Sequence, residues 1–278
     1  MSEGRYELKY AVPLADRARV LHAAAGHISQ DHHGEDLSDW IDVGHGETPP
    51  LGYRVHSLYL DSPSLEGYER RLSSNRVRDR VRVRTYGAIG DPAPVFLEAK
   101  RKLDDRVIKH RVRVGDACQW AQADAEAPWR SIIAPMLGPP GARARRWQSI
   151  VEAGCMVPVC TIHYAREVYI AGTARLTLDH EVRSVGRPDP RQLQGNDGVQ
   201  LIPTRWMILE LKFFGLPPAW MRTLVRLLDL RAEPVSKFGL GVACSLRGHH
   251  PAEIRAMTPH SILQDLDVAC VPAIGSVA

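Results

Sequence analysis

Arginine occupies every second position in one short stretch of this chain. Residues 78–87 read RDRVRVRTYG, so that Arg80, Arg82 and Arg84 alternate with valines. Residues two apart in a β-strand project from the same face, and the pattern therefore predicts a strand with three guanidinium groups on one face. Guanidinium groups bind phosphate oxygens in a bidentate manner, so phosphate binding is the chemistry that these residues indicate.

Other predicted strands repeat this alternation. Glu98 and Lys100 share a face in FLEAKRK, and Glu210 and Lys212 share one in ILELKF. For any one strand, a polar face in water is the simpler interpretation. Several mostly cationic strands instead favour a charged interior. If they curl into a barrel with the charged faces inward, the interior is a cationic tunnel that repels itself unless an anion fills it. A polyanion is the expected occupant, and Glu7, Glu98 and Glu210 could hold a divalent metal against its phosphates.

The positive charge is concentrated in one part of the chain. The 278 residues carry a net charge of +4, with 44% hydrophobic residues, as in ordinary globular proteins. Residues 70–113 contain 14 Lys or Arg and 5 Asp or Glu, a balance of +9, which leaves −5 for the remainder. This asymmetry favours a local positive field for an anionic partner over a generally basic protein.

The elements that must position these residues are mostly strands. Periodicity predicts strands at 5–12, 53–62, 78–87, 94–102, 106–114, 157–171, 174–184 and 205–214. It predicts helices at 13–28, 63–74, 116–137, 142–154 and 217–230. There is no βαβ rhythm and no GxGxxG motif, so a Rossmann fold is disfavoured. We expect an α+β protein with an antiparallel sheet or barrel.

One domain is expected over residues 1–248, with an insertion or mobile loop at 29–52 and a loosely ordered tail at 249–278. No apolar run approaches the roughly 18–20 residues that span a bilayer, and the first residues lack a signal-peptide pattern. The five cysteines contain no CxxC pair, so neither a disulfide framework nor a zinc site is indicated. We expect a cytoplasmic protein without a transmembrane segment.

Nine short segments resemble, in register and in order, those of the VTC (vacuolar transporter chaperone) domain. This domain is the polyphosphate polymerase branch of the CYTH-like triphosphate tunnel metalloenzymes, and the resemblance covers about residues 5 to 243. The segments are RYELKY, HSLYLDSPSLEGY, RVRVRTYG, FLEAKRK, IKHRV, HYAREVY, ARLTLDHEV, ILELKF and VSKFGLG.

The resemblance implies an eight-stranded antiparallel β-barrel, a triphosphate tunnel with peripheral helices. Its inward Lys and Arg residues would bind a triphosphate, and a glutamate would carry Mn²⁺ or Mg²⁺. In the polymerase members, the γ-phosphate of ATP passes to a growing polyphosphate chain in the tunnel. Phosphoryl transfer depends mainly on alignment and electrostatic stabilisation, and the acceptor phosphate is already ionised, so no general base is required.

Carried over by motif, the resemblance implies a set of site residues. The phosphate-binding and nucleotide-binding positions are Lys9, Arg82, Arg84, Lys100, Lys109, Arg166, Arg175 and Lys237. Arg82, Arg84, Arg166 and Arg175 would surround the β and γ oxygens as the catalytic set, and Glu210 matches the metal position. Alternation adds Lys212 to the phosphate-binding residues and Glu98, with Glu7, to the candidate metal ligands.

The chain departs from the family pattern in places. Tunnel enzymes often begin with ExExK, but Arg5 stands in place of the first acid here, which disfavours a two-metal hydrolytic site. The closing segment PVSKF has one lysine where the eukaryotic polymerases tend to have two. Activation or export would need other proteins, such as a membrane partner.

Besides a phosphotransferase, two alternatives remain open. One is a hydrolase of inorganic triphosphate or a nucleoside triphosphate in the same tunnel. The other is a non-catalytic module that binds polyphosphate and regulates a partner. Nucleic acid is disfavoured as a partner, because the basic strands lack interleaved aromatic residues that would stack on bases.

Overall fold

Most of the chain forms strands in the computed structural model, which describes residues 5–44, 47–73, 77–103, 106–122, 155–233, 235–245 and 257–262. The long strands are β1 (Arg5–Pro13), β4 (Leu51–Asp61), β5 (Val77–Tyr86), β6 (Pro94–Leu103), β7 (Arg106–Asp116), β8 (Val157–Ala171), β9 (Ala174–Gly186) and β11 (Trp206–Phe214). The short strands are β2 (Ser29–Gln30), β3 (Glu35–Asp36) and β10 (Val199–Gln200).

The eight long strands form one antiparallel sheet in the order β1-β11-β9-β8-β4-β5-β6-β7. The two end strands, β1 and β7, approach each other but form no ladder among the described residues. A salt bridge of 3.2 Å between Lys100 Nζ on β6 and Glu7 Oε2 on β1 crosses the gap between the two ends of the sheet. The α+β class and the antiparallel sheet are confirmed, whereas the eight-stranded barrel is only approximate because backbone hydrogen bonds do not close it.

Five helices accompany the sheet in the described part of the chain. They are α1 (Arg17–Ala24), α2 (Glu66–Leu72), α3 (Ala117–Ala121), α4 (Ala219–Leu227) and α5 (Lys237–Ser245). A 3-10 turn at Leu14–Asp16 precedes α1, and the predicted helix at 142–154 and most of that at 116–137 lie outside the described residues. Residues 237–245 were not predicted as a helix, because their apolar residues lack the one-sided periodicity of an amphipathic helix. The helix α5 is buried on several sides, including Phe238 and Leu240, and such a helix shows no amphipathic pattern.

The strand alternation separates an apolar face from a charged one. Helices α1 and α4 cover the outer face of β1, β9 and β11, where Tyr10 and Leu209 pack against Val20 and Leu224. The opposite face of these strands carries the charged residues. The sequence pattern of period two therefore directs the acidic and basic groups of neighbouring strands into one interior.

Two segments outside the long strands also pack onto the sheet. In the region 29–52, β2 pairs with β8 and β3 pairs with β4, while Leu37 and Ile41 are buried near Ala165. In the last described segment, Met257 is buried in the same core cluster as α5. No helix within the described residues is both long enough and apolar enough to span a membrane.

A buried ion pair fixes α1 to β8. Arg17 donates from Nε and Nη2 to the two carboxylate oxygens of Glu167, at 2.9 and 2.6 Å. His180 Nε2 lies 2.9 Å from Glu167 Oε1, and the Tyr169 hydroxyl donates to Oε2 at 2.7 Å. Arg17 Nη1 also donates to the carbonyl oxygen of Thr48 at 2.9 Å. The network thus holds α1 and the loop before β4 against β8, the strand that carries Arg166.

Acid is expected to weaken the fold through Glu167. Burial would raise the pKa of this carboxyl group, but Arg17 and His180 outweigh burial and lower it from 4.5 to about 2. A lowered folded-state pKa contributes stability above pH 4.5 that is lost as the pH falls toward 2. Glu167→Gln should therefore lose roughly 3 kcal/mol of unfolding free energy at pH 7 and show a flatter acid dependence. Urea unfolding between pH 7 and pH 3 measures the loss of unfolding free energy and its pH dependence. If the unfolding free energies of the variant and the wild type fell in parallel with pH, Glu167 would not be the source of the acid sensitivity.

Candidate functional site

One cavity on the inner face of the sheet collects most of the predicted site residues. Nine cationic side chains and three carboxylates line it, an excess of six positive charges. The cations come from six strands and from the first residue of α5. The lining residues are Glu7, Lys9, Tyr59, Arg80, Arg82, Arg84, Glu98, Lys100, Lys109, Tyr164, Arg166, Glu210, Lys212, Lys237 and Phe238. We call this cavity the cationic tunnel.

Glu210 is the centre of one charge cluster in the tunnel. Its carboxylate lies 2.6 Å from Lys212 Nζ and 3.2 Å from Lys9 Nζ. Arg166 Nη2 lies 3.2 Å away and Lys237 Nζ 3.4 Å away. Only 4% of the Glu210 side chain is exposed, so one buried carboxylate is shared by four cations.

Asp179 completes this cluster and was not predicted as a site residue. It is fully buried on β9 and receives two hydrogen bonds from Arg166, through Nε and through Nη2 at 2.6 Å. Lys237 Nζ also donates to its carboxylate at 2.5 Å. Asp179 does not line the tunnel itself, so its contacts hold Arg166 and Lys237 from behind.

Glu98 is the centre of a second cluster on the β5–β7 side. Arg82 contacts it through Nε at 2.8 Å and through Nη2 at 2.6 Å. Lys109 Nζ lies 2.7 Å from the carboxylate and Arg111 Nε 3.3 Å, while Arg84 Nε is at 4.0 Å. The two clusters share no ion pair between them in the described residues.

Arg84 has the weakest contact with a carboxylate among the arginines of these clusters. It is buried, and Nε donates to Ser57 Oγ at 3.0 Å while Nη2 donates to the Tyr164 hydroxyl at 3.2 Å. Its neighbour Arg82 also donates to a phenol, that of Tyr59, at 3.0 Å. Neutral hydroxyl groups accept hydrogen bonds from Arg84 but do not balance its charge. An anion bound in the tunnel would therefore interact most favourably with Arg84.

The cations keep the carboxylates ionised. Burial would raise the pKa of Glu210, but Lys212, Lys9 and other cations hold it well below the ordinary value. Burial would also raise the pKa of Glu7, and Lys9 outweighs that effect. In return, the pKa of Lys9 is raised, because Glu210 and Glu7 outweigh its burial. Both carboxylates are therefore available as charged oxygen ligands at neutral pH.

Glu7 and Glu210 fit a divalent ion best. Lys9 Nζ lies 3.2 Å from an oxygen of each, so one cationic group already bridges the two carboxylates. Carboxylate oxygens suit Mg²⁺ and Mn²⁺, and Mg²⁺ is usually held by one or two carboxylates together with substrate phosphates. The third predicted ligand, Glu98, contacts a separate set of cations. Glu7 and Glu210 could therefore hold a divalent ion together, whereas Glu98 is surrounded by cations for which it serves as a counter-charge.

Arg175 is the one predicted site residue that does not line the tunnel. It shares a face of β9 with Asp179 and pairs with Lys212 on β11. Burial and the charge of Arg175 both lower the pKa of Arg5, which places Arg175 near the start of β1. Conversely, Arg80 lines the tunnel and was not selected, although its alternation with Arg82 indicates the same face.

Several solved structures are similar to this chain at low sequence identity. One from Vibrio parahaemolyticus, named a putative adenylate cyclase, is 12% identical, with a TM-score of 0.42 over 86% of this chain and 98% of that one. The PH1012 protein of Pyrococcus horikoshii OT3 is also 12% identical, with a TM-score of 0.42 over 85% and 98%. A conserved hypothetical protein from Pyrococcus furiosus is 11% identical, with a TM-score of 0.37 over 82% and 91%.

The sequence matches one family model over most of its length. No curated protein matches the chain in sequence. The family model of the VTC domain, however, matches residues 4–246, which include every strand of the sheet and every residue of the cationic tunnel. The chain therefore belongs to the VTC domain family.

Proposed function

We propose that this protein is a metal-dependent polyphosphate polymerase, which transfers the γ-phosphate of ATP to a polyphosphate chain in the cationic tunnel. The observation that carries the proposal is the ring of nine cations around a single cavity. A string of phosphates is the substrate that neutralises such a surface along its length. Membership of the VTC domain family agrees with this substrate class.

In this proposal the arginines and lysines align and stabilise the reacting phosphates. Arg82, Arg84 and Arg166 present guanidinium groups to the γ-phosphate, and their N–H groups match charge that is spread over phosphate oxygens in the transition state. Glu7 and Glu210 would hold Mn²⁺ or Mg²⁺, which neutralises phosphate charge when bound. The acceptor end of the chain is already an anion, so none of the tunnel residues needs to remove a proton.

Two features favour a polymerase over a hydrolase. Nine cations line the tunnel, which is more than three phosphates and one metal require. In addition, Arg5 replaces an acid at the start of β1, so that strand presents only the carboxylate of Glu7 to the tunnel. One metal site and an excess of cations suit the transfer of phosphate to a chain.

Long polyphosphate is accordingly expected to bind more tightly than inorganic triphosphate. Chains of tens of phosphates contact more of the cations, and salt should weaken their binding strongly because exposed charges at the tunnel ends are screened most. Calorimetric titration of both ligands at two ionic strengths measures this difference. Equal affinities for the two ligands, with triphosphate converted only to free phosphate, would favour the hydrolase instead.

A further inference from the structure

Three aromatic rings from neighbouring strands lie beside the phosphate-binding arginines. Tyr53 on β4 meets Tyr86 on β5 edge-on, with ring centroids 5.4 Å apart. Tyr86 in turn meets Phe96 on β6 edge-on at 6.3 Å. Tyr86 and Phe96 stand two residues from Arg84 and Glu98, and therefore face the same side of the sheet. All three rings are partly exposed, unlike the buried rings that line the tunnel.

Arg111 lies over two of these rings, Phe96 and Tyr86, and we call the three side chains the platform. Its guanidinium carbon lies 3.5 Å from the centroid of Phe96 and 5.6 Å from that of Tyr86. Its Nη2 donates to the Tyr86 hydroxyl at 3.3 Å, and its Nε lies 3.3 Å from Glu98. The guanidinium plane is thus fixed at several points, yet 38% of the side chain stays exposed. A planar ligand could stack on this open area.

The platform stands at one end of the phosphate-binding arginines. Two residues along a strand span about 7 Å, so Phe96 and Tyr86 lie one such step beyond Glu98 and Arg84. Tyr53 is close to the same region: burial raises its pKa, and the charges of Arg166 and Arg175 oppose that rise. A nucleotide with its terminal phosphates at Arg82, Arg84 and Arg166 would place its base in this direction.

We propose that Arg111, Phe96 and Tyr86 bind the purine base of the nucleotide whose phosphates occupy the tunnel, an inference that rests on the proposed function. Guanidinium planes and aromatic rings stack on bases, and such stacking accepts any base because every base has a π-face. The platform offers a π-surface for stacking rather than a set of hydrogen-bond donors and acceptors that would distinguish one base from another. ATP and GTP are therefore expected to bind with similar affinities, and both more tightly than inorganic triphosphate.

Binding measurements without turnover test the platform. The ligands are an ATP analogue with an imido bridge between the β and γ phosphates, and imidotriphosphate, which lacks the nucleoside. Phe96→Leu keeps apolar bulk but removes the ring, and Arg111→Lys keeps the charge but removes the plane. Each should weaken binding of the ATP analogue about tenfold and leave imidotriphosphate within about twofold, since base stacking contributes ~1–3 kcal/mol. Phe214→Ala, which changes an exposed phenylalanine on β11, is the matched control and should change neither affinity.

The outcomes separate this inference from the proposed function. Unchanged binding of the ATP analogue in both variants overturns the base platform, and so does an equal loss for both ligands. A selective loss of analogue binding supports the platform even if the protein makes no polyphosphate. That combination would refute the proposed polymerase function but not the platform. If the Phe96→Leu variant forms polyphosphate and binds the analogue as tightly as the wild type, the proposed polymerase function is supported and the platform is refuted.

Discussion

Glu210→Gln is expected to abolish Mn²⁺-dependent turnover. The amide keeps the size of the side chain but removes the charge that a divalent ion needs and that four cations share. Removing a buried partner from charged groups typically costs about 3 kcal/mol, so the ligand-free protein should also melt at a lower temperature. Inorganic triphosphate should restore much of that stability, because phosphate oxygens can replace the carboxylate as counter-charge.

Glu98→Gln is the matched comparison for the metal assignment. Glu98 is an equally buried carboxylate with cationic neighbours, but we place no metal there. Manganese binding followed by electron paramagnetic resonance in the presence of triphosphate should be lost in Glu210→Gln and retained in Glu98→Gln. Full turnover by Glu210→Gln would remove Glu210 from the site, and loss of manganese binding only in Glu98→Gln would move the ion to the second cluster.

Arg84→Ala is expected to remove most of the stabilisation that triphosphate confers. Arg84 is buried, its nearest carboxylate oxygen is 4.0 Å away, and its other contacts are the hydroxyl groups of Ser57 and Tyr164. In the absence of an anion, the variant should unfold at the same temperature as the wild type or higher, since a cation among cations is removed. With saturating triphosphate, the upward shift in melting temperature should shrink to a small fraction of the wild-type shift, because a ligand stabilises only the state to which it binds.

Arg101→Ala is the control for this variant. Arg101 lies on β6 but pairs with Asp79 on the solvent side, at 2.7 Å for both N–O contacts. Its replacement should leave the triphosphate-dependent shift intact. A large loss of stability in ligand-free Arg84→Ala would show instead that Arg84 is a structural residue of the folded protein.

The alternation of charged residues was sufficient to predict most of the tunnel. In a strand, the position of one inward residue determines the direction of those two places away, so Lys9, Arg82, Lys100 and Glu210 could be assigned to one interior. Alternation alone also indicates Arg80, which the family motifs did not select. Arg175 obeys the same rule, but it is not among the residues that line the tunnel.

The residues that hold the cations were harder to predict. Asp179 looks like an ordinary polar residue of a strand, and only the fold brings it behind Arg166 and Lys237. The helix α5 carries Lys237 into the tunnel, but its apolar sequence has no helical periodicity on one side. The contact of Arg111 with Phe96 joins two strands, and such pairing depends on register, which a single sequence does not determine.

The central claim is that phosphate, not water, accepts the γ-phosphate of ATP. The most direct measurement is to incubate the pure protein with ATP labelled in the γ-phosphate and Mn²⁺, and to separate long polyphosphate from free phosphate on a gel. We expect labelled chains of increasing length with the wild-type protein and none with Glu210→Gln. Release of label only as free phosphate would contradict it and identify a hydrolase, and retention of all label in ATP would identify a binding module.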